Sequence, residues 1–321
     1  MNRPHRMGTF RLRAVIIPFL IVTLIWGSTW IVIRDQLRDV PTEWSVAYRF
    51  GIASVAMALF ATLKKRGLKL DREGMIAALI LGIALFCVTF NAIYLAEIHL
   101  VSGVVATFFA IMIIPTGLFG WAMLGQRPRR QFAIGSGVAI AGIVLLSLNE
   151  LQTSGARPSE VFGGVLFAVL GLLGASWTNL FQAFERIVEH HLKPLLAWAM
   201  GFGALANAAL AWAISGPPVF SPRPGYWAGL AYLGIVASAF AFNLYFPVVR
   251  KLGPGRATSL TLLAAIIALG LSTWLEDFRW SGLAIGGSVL TLAGALIALR
   301  RTQTGIIVTT RQGGVRQATD Q

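Results

Sequence analysis

The chain alternates between long apolar blocks and short polar stretches. Ten blocks carry few charges, at residues 14–33, 44–63, 75–96, 101–124, 132–149, 161–183, 194–215, 226–247, 257–275 and 281–299. At a rise of about 1.5 Å per residue, each is long enough as a helix to cross a hydrocarbon core of roughly 30 Å. None alternates with the two-residue period of a membrane β-barrel. The pattern predicts an all-α polytopic membrane protein of ten transmembrane helices. The first block follows a basic segment, as the apolar part of a signal peptide does. It runs on to Ile33, too long for a cleaved signal, and predicts a retained first helix.

Composition agrees and charge orients the chain. Of 321 residues, 56% are hydrophobic and 12% charged, about half the charge of a soluble domain. A net charge of +14 would suit nucleic acid, but the basic residues cluster between the apolar blocks. With both termini in the cytoplasm, 21 of the 27 Lys and Arg fall in cytoplasmic segments, including Lys64, Lys65, Arg66, Arg127, Arg129 and Arg130. Five fall outside: Arg34, Arg38, Arg157, Arg223 and Arg279. This asymmetry is the signature of topology control. The expected partners are the bilayer and a small-molecule solute, with no nucleic acid. Cys87, the single cysteine, lies within a block and permits neither an internal disulfide nor a thiolate metal site.

The sequence also repeats. Residues 81–103 and 233–255, offset by 152, share Leu81/Leu233, Gly82/Gly234, Phe90/Phe242, Asn91/Asn243 and Gly103/Gly255. The same offset pairs Gly135 with Gly287 and Gly142 with Gly294. Five helices per half force the halves to cross in opposite senses. The basic loop "GQRPRR" then has a non-basic counterpart, "EDFRW". The organisation expected is a cytoplasmic segment 1–13, a five-helix repeat 14–149, an outer connection 150–160, a second repeat 161–299 and a disordered cytoplasmic tail 300–321. Such inverted repeats recur in secondary transporters, with one site between the halves.

Several residues are candidates for that site. "GSTW" at 27–30 has a counterpart in "GASW" at 174–177. Trp26 and Trp30 share a helix face; with Ser28 and Trp177 they either wall a cavity or form an interfacial belt. Gly27 and Gly174 would allow tilt or close approach. Asn91 and Asn243 are matched polar residues within spans, serving either as helix-to-helix glue or as solute ligands. Tyr94, Asn179 and Tyr245 lie nearby. Arg49, the one basic residue inside a block, has three readings: snorkelling, pairing with Glu97, or contact with an anionic solute group. Pro115 should interrupt the fourth helix. Gly282 and Gly286 form a GxxxG that serves packing or a homodimer.

Catalytic signals are thin. There is no HExxH, GxSxG or P-loop. "FERIVEHH" at 184–191 reads as a solvated charge cluster at a helix end rather than a metal site. No metal, cofactor or enzymatic activity is expected. Glu97, Glu276 and Asp277 sit at block edges, so the sequence offers no carboxylate deep in a span for proton coupling. The fitting solute is small, neutral or zwitterionic, and partly apolar.

"WGSTW" in the first block, "AYRF" in the second, residues 107–142 and their degenerate partner 259–294 together resemble the drug/metabolite transporter superfamily. The likeness is to its ten-helix EamA-type members and covers about residues 14–299. Gln126 stands where the family pattern has Glu after the glycine ending the fourth helix. The resemblance implies export of amino acids or related metabolites from the bacterial inner membrane. The alternatives are a multidrug or cationic-compound exporter of the same superfamily and a membrane-embedded enzyme.

Overall fold

Ten helices of the computed structural model are long and apolar enough to cross a membrane. They are α1 (Val15–Gln36), α2 (Thr42–Leu63), α3 (Arg72–His99), α4 (Ser102–Leu124), α5 (Arg130–Thr153), α6 (Pro158–Phe181), α7 (Leu192–Ser215), α8 (Pro224–Leu252), α9 (Pro254–Leu275) and α10 (Gly282–Leu299). The structure describes residues 5–63, 67–184, 187 and 189–299. The first four residues, Lys64 to Arg66, Glu185, Arg186, Val188 and the tail 300–321 lie outside the described residues. Each predicted block corresponds to one helix, with ends shifted by a few residues where polar residues extend the helical turn.

Local chemistry sets several boundaries. Asp71 caps α3, its Oδ1 accepting the Gly74 N–H at 2.8 Å. Pro158 opens α6, where its missing N–H costs nothing, and Glu160 accepts the Arg157 N–H at 2.8 Å. In α4 the α-helical run stops at Ala110 and resumes at Ile113. Pro115 has no N–H for the Ile111 carbonyl four residues back, so the interruption falls where the sequence places it. Two wider, π-type segments appear, at Gly82–Thr89 in α3 and Tyr232–Phe240 in α8. Thr89 Oγ1 there donates to the Ala84 carbonyl, five residues back, at 2.8 Å.

The helices pack as α1–α8, α3–α6, α2–α8, α3–α7, α1–α9, α4–α6, α2–α7, α4–α9 and α5–α10. Small residues permit the closest approaches. A Cβ on Gly135 or Gly294 would meet the other's carbonyl oxygen at 2.7 Å, and one on Gly287 would lie 2.8 Å from the Gly142 carbonyl. The α5–α10 seam is thus backbone against backbone. Gly282 has nothing within 4 Å, and Gly286 only Leu145 Cδ1 at 3.8 Å. The GxxxG is therefore not the bundle seam; Gly287 and Gly294, the residues matched by the repeat, occupy it. Gly27 lets α1 approach α9, since a Cβ there would come within 2.7 Å of Ile267 Cβ. A Cβ on Gly174 would run into Thr89 Oγ1 of α3.

Outside the bundle, Val55, Phe162, Leu205 and Trp274 are 70, 70, 69 and 79% exposed. Such residues suit lipid contact. Arg223, just before α8, ties the start of that helix to the end of α1 and to the α1–α2 connection. Its Nη1 and Nη2 donate to Asp35 at 3.0 and 3.1 Å, and its Nε donates to Asp39 at 2.8 Å. The Arg223 and Ser221 hydrogen bonds hold the Asp39 carboxyl below its ordinary range.

Candidate substrate cavity

Trp26, Thr29, Trp30 and Ile33 follow one another at i, i+3, i+4 and i+7 on α1 and form one wall of an internal cavity. The cavity has about 740 Å³ of atom-free space, counting the part that opens outward. Other walls come from α3 (Phe90, Ile93), α4 (Phe109, Met112), α6 (Ala175, Asn179), α8 (Phe242, Tyr245) and α9 (Thr261, Ala264). These are the first, third and fourth helices of each half. Arg49 of α2 joins them.

The rings interlock. Trp26 lies 4.7 Å from Tyr245 and 5.1 Å from Phe242 between centroids, and Trp30 lies 5.2 Å from Phe109. Trp26 Nε1 donates to the Ala237 carbonyl at 3.1 Å, fixing the ring against the widened part of α8. Asn179 Nδ2 donates to Tyr245 Oη at 2.8 Å, joining α6 to α8 at the wall. The cavity threonines keep their protons at home. Thr29, Thr89, Thr178 and Thr261 donate to carbonyls of Ile25, Ala84, Gly174 and Thr258 in their own helices.

Of the nine candidate ligands, Trp26, Trp30, Asn179 and Tyr245 line the cavity. Ser28, Asn91, Tyr94, Trp177 and Asn243 do not. Ser28 Oγ lies 2.7 Å from Tyr232 Oη, and Trp177 stacks on Phe181 at 5.2 Å. Tyr94 is fully buried. Asn91 and Asn243 each follow a wall residue, Phe90 or Phe242. One residue along a helix is about 100° around it, so neither shares its neighbour's direction into the cavity. Asn91 Nδ2 meets Asn207 Oδ1 of α7 at 2.5 Å and also donates to the Cys87 carbonyl at 2.9 Å. Asn207 in turn donates to the Phe86 and Gly203 carbonyls at 2.8 and 2.7 Å. The Asn91→Ala substitution strands Asn207 Oδ1. We expect a loss of between about 0.6 kcal/mol, typical of interhelical bonds in membranes, and about 3 kcal/mol, the upper cost of an orphaned buried group. Thermal melts of the detergent-solubilised protein check this, and half-saturation for solute should not move.

Arg49 does not snorkel. It is 1% exposed and turned into the bundle. Nε donates to Ser238 Oγ at 3.0 Å, and the guanidinium carbon sits 4.5 Å from the Phe90 ring centre and 5.4 Å from that of Phe50. No ion pair with Glu97 forms among the described residues; the acid is engaged elsewhere. Insertion scales put a central Arg at roughly 2.5–3.5 kcal/mol, a cost left unoffset here by any carboxylate.

At the end of the bundle carrying Gln36, polar contacts tie α1, α3, α4 and α9 together as a plug. Ser102 Oγ lies 3.0 Å from both Glu97 Oε2 and Glu276 Oε1. Ser272 Oγ donates to Glu276 at 2.5 Å and accepts the Gly103 N–H at 2.8 Å. Arg34 hydrogen-bonds the Glu97 carbonyl and reaches Glu276 at 3.8 Å. Beyond this plug lies a polar vestibule lined by Arg34, His99, Glu150 and Glu276. Glu97 and Glu150 are 0 and 1% exposed. Glu97 thus stands at a span edge, as its position in the sequence places it, yet is buried there by neighbouring helix ends, which linear distance from a span end does not register.

Among the described residues no group of three or more His, Cys, Asp or Glu is placed to hold a metal ion. The EamA-like transporter family model matches residues 13–148 and again 162–300. The chain belongs to the EamA-like transporter family. It is accordingly an integral, multi-pass membrane transporter and not an enzyme. The uncharacterized inner membrane transporter YedA of Escherichia coli K12 is 29% identical over 86% of this chain and 88% of its own. Protein PagO of Salmonella typhimurium is 24% identical over 84 and 87%. A probable amino-acid metabolite efflux pump of Escherichia coli K12 is 23% identical over 87 and 92%. A crystal structure with 20% sequence identity aligns at a TM-score of 0.66, covering 90% of this chain and 97% of its own; that likeness speaks to fold alone.

Within this EamA-like chain, sequence reasoning missed Ile33, Phe90, Phe109 and Phe242 as wall residues. Continuing the helical period from Trp26 and Trp30 reaches Ile33. The matched pair Phe90/Phe242 was available in the repeat, but polar Asn91/Asn243 beside it drew attention instead.

Proposed function

We propose that the protein is a secondary carrier that exports small, partly apolar metabolites, amino acids or related compounds, across a bacterial inner membrane by alternating access. The observation that carries this reading is the aromatic-walled cavity between the two sets of five helices, whose Gln36-end helices are tied through Ser102 to Glu97 and Glu276. Residues 14–149 and 161–299 form the two repeats, joined by 150–160, with opposite orientations and both termini in the cytoplasm. Two family matches support the duplication. So does the packing: exchanging the first five helices with the last five turns α1–α8 into α3–α6, and α2–α8 into α3–α7, and leaves α5–α10 as itself. The names of two relatives, an inner membrane transporter and an amino-acid metabolite efflux pump, support the location and solute class. The plugged Gln36 end is then the outer one. A cationic drug would meet Arg49, which weighs against that alternative. The reading needs no second copy of the chain.

Two measurements test it. Single cysteines at Pro128→Cys and Arg279→Cys, in a Cys87→Ser background, should label from opposite sides of sealed vesicles. Labelling from one side removes the inverted repeat. Proteoliposomes should show saturable counterflow of L-phenylalanine or L-leucine; a panel of amino acids without saturable movement rejects the carrier.

A further inference from the structure

We propose that Arg49 is the seat for a carboxylate on the transported solute, so that the carrier selects monocarboxylates bearing an apolar, ring-sized body, zwitterionic amino acids included. This rests on the reading of the cavity as the solute site.

Arg49 lines the cavity and, among the described residues, is the one cationic side chain that does. A guanidinium has five N–H donors and no acceptor. Nε is used by Ser238, while Nη1 has no hydrogen-bond partner. The Phe90 and Phe50 faces steady the charge without neutralising it. Glu97 is the acid whose charge reaches this region, but it lies in the plug against Ser102 and forms no ion pair with Arg49. The buried Tyr94 hydroxyl lies beside the guanidinium and carries no charge to neutralise it. A buried cation at the cavity wall, held by its stem and with one N–H group lacking a hydrogen-bond partner, is a half-built ion pair. The missing half is an acceptor-only group of single negative charge, and a carboxylate fits the planar fork.

The rest of the cavity sets the body of the solute. The wall is almost wholly apolar, and its four threonine hydroxyls donate to backbone carbonyls. Asn179 and Tyr245 are bonded to each other. Little remains to solvate a second negative charge, so a phosphate dianion or a dicarboxylate is a poor match. A flat ring, by contrast, meets Trp26, Trp30 and Phe109.

The test compares isosteric pairs on purified, detergent-solubilised protein by titration calorimetry: 3-phenylpropionate against 3-phenylpropionamide, and L-phenylalanine against L-phenylalaninamide, with phenethylamine as the cation. At least one carboxylate should bind ten-fold or more tighter than its amide. Arg49→Gln should abolish that preference while the amide's affinity stays within about threefold. Ser238→Ala, which frees Nε, should lower the preference at least threefold. If Arg49→Gln does not yield folded protein, the wild-type ratio and Ser238→Ala decide. Carboxylate and amide binding within twofold of each other, a preference surviving in Arg49→Gln, or binding of phenethylamine alone overturns the role of Arg49 and leaves the cavity reading standing. Binding of none of the five compounds overturns the cavity reading itself and the proposal with it.

Discussion

Replacing Gly142 by Val is expected to abolish recovery of folded protein. Gly142 lies where α5 crosses α10, and its Cα faces backbone rather than a yielding side chain. A Cβ there would collide with the Thr291 N and Oγ1 and sit 2.6 Å from the Gly287 carbonyl oxygen. Overpacking a core that can shift side chains costs about 1–3 kcal/mol. Here the obstacle is the neighbouring helix itself, and separating the helices would undo the contacts of Gly135, Gly287 and Gly294 along the whole seam. Without a hydrophobic drive between helices in lipid, close backbone packing is the main attraction that a branched side chain can destroy. The control is Gly282→Val, four residues before Gly286 on the same helix, where nothing lies within 4 Å. It should behave as wild type. Size-exclusion profiles and thermal melts of both variants decide the matter. A monodisperse Gly142→Val protein melting within a few degrees of wild type would show that the seam is looser than described.

The second large effect falls on solute binding. Trp26→Ala should raise the half-saturation concentration for L-phenylalanine counterflow at least ten-fold, about 1.4 kcal/mol in binding. The ring forms a wall of the cavity and is clamped by Tyr245 and Phe242 and by its own bond to the Ala237 carbonyl. Truncation removes the surface that a ring-bearing solute stacks on and leaves the cavity open to water. Trp26→Phe keeps an aromatic face and should lose less. The comparison with Asn91→Ala separates wall from scaffold: one variant should move half-saturation with a modest change in melting, the other the reverse. Half-saturation within twofold of wild type in well-folded Trp26→Ala would take this ring out of the site.

The Trp26 and Asn91 cases show how far sequence reasoning reaches into the site. Both are conspicuous in the sequence, one as half of an aromatic pair and the other as a polar residue matched by the repeat. Only Trp26 reaches the cavity. Helix periodicity says which residues share a face, but the rotation of that face toward cavity, lipid or neighbour is set by packing. Asn91 is turned to Asn207, 116 positions away, and nothing local to either residue announces the other. Arg49 illustrates the same limit. Its distance from the span end made snorkelling feasible, and three readings stayed open until the burial of its side chain closed one of them.

The ten crossings and their membrane setting were determined by the sequence itself. Lipid offers no hydrogen bonds, so each span must satisfy its backbone internally as a helix, and length, apolarity and flanking charge record that locally. The glycine matches at 135/287 and 142/294 likewise stand on the seam where α5 and α10 meet. Tertiary structure alone decided which faces enclose the cavity, that Arg49 turns inward without a carboxylate, and that Glu97, Ser102 and Glu276 meet in one plug. Those depend on helices far apart in sequence approaching at particular rotations, and the energies of such contacts are shared between residues that no local pattern connects.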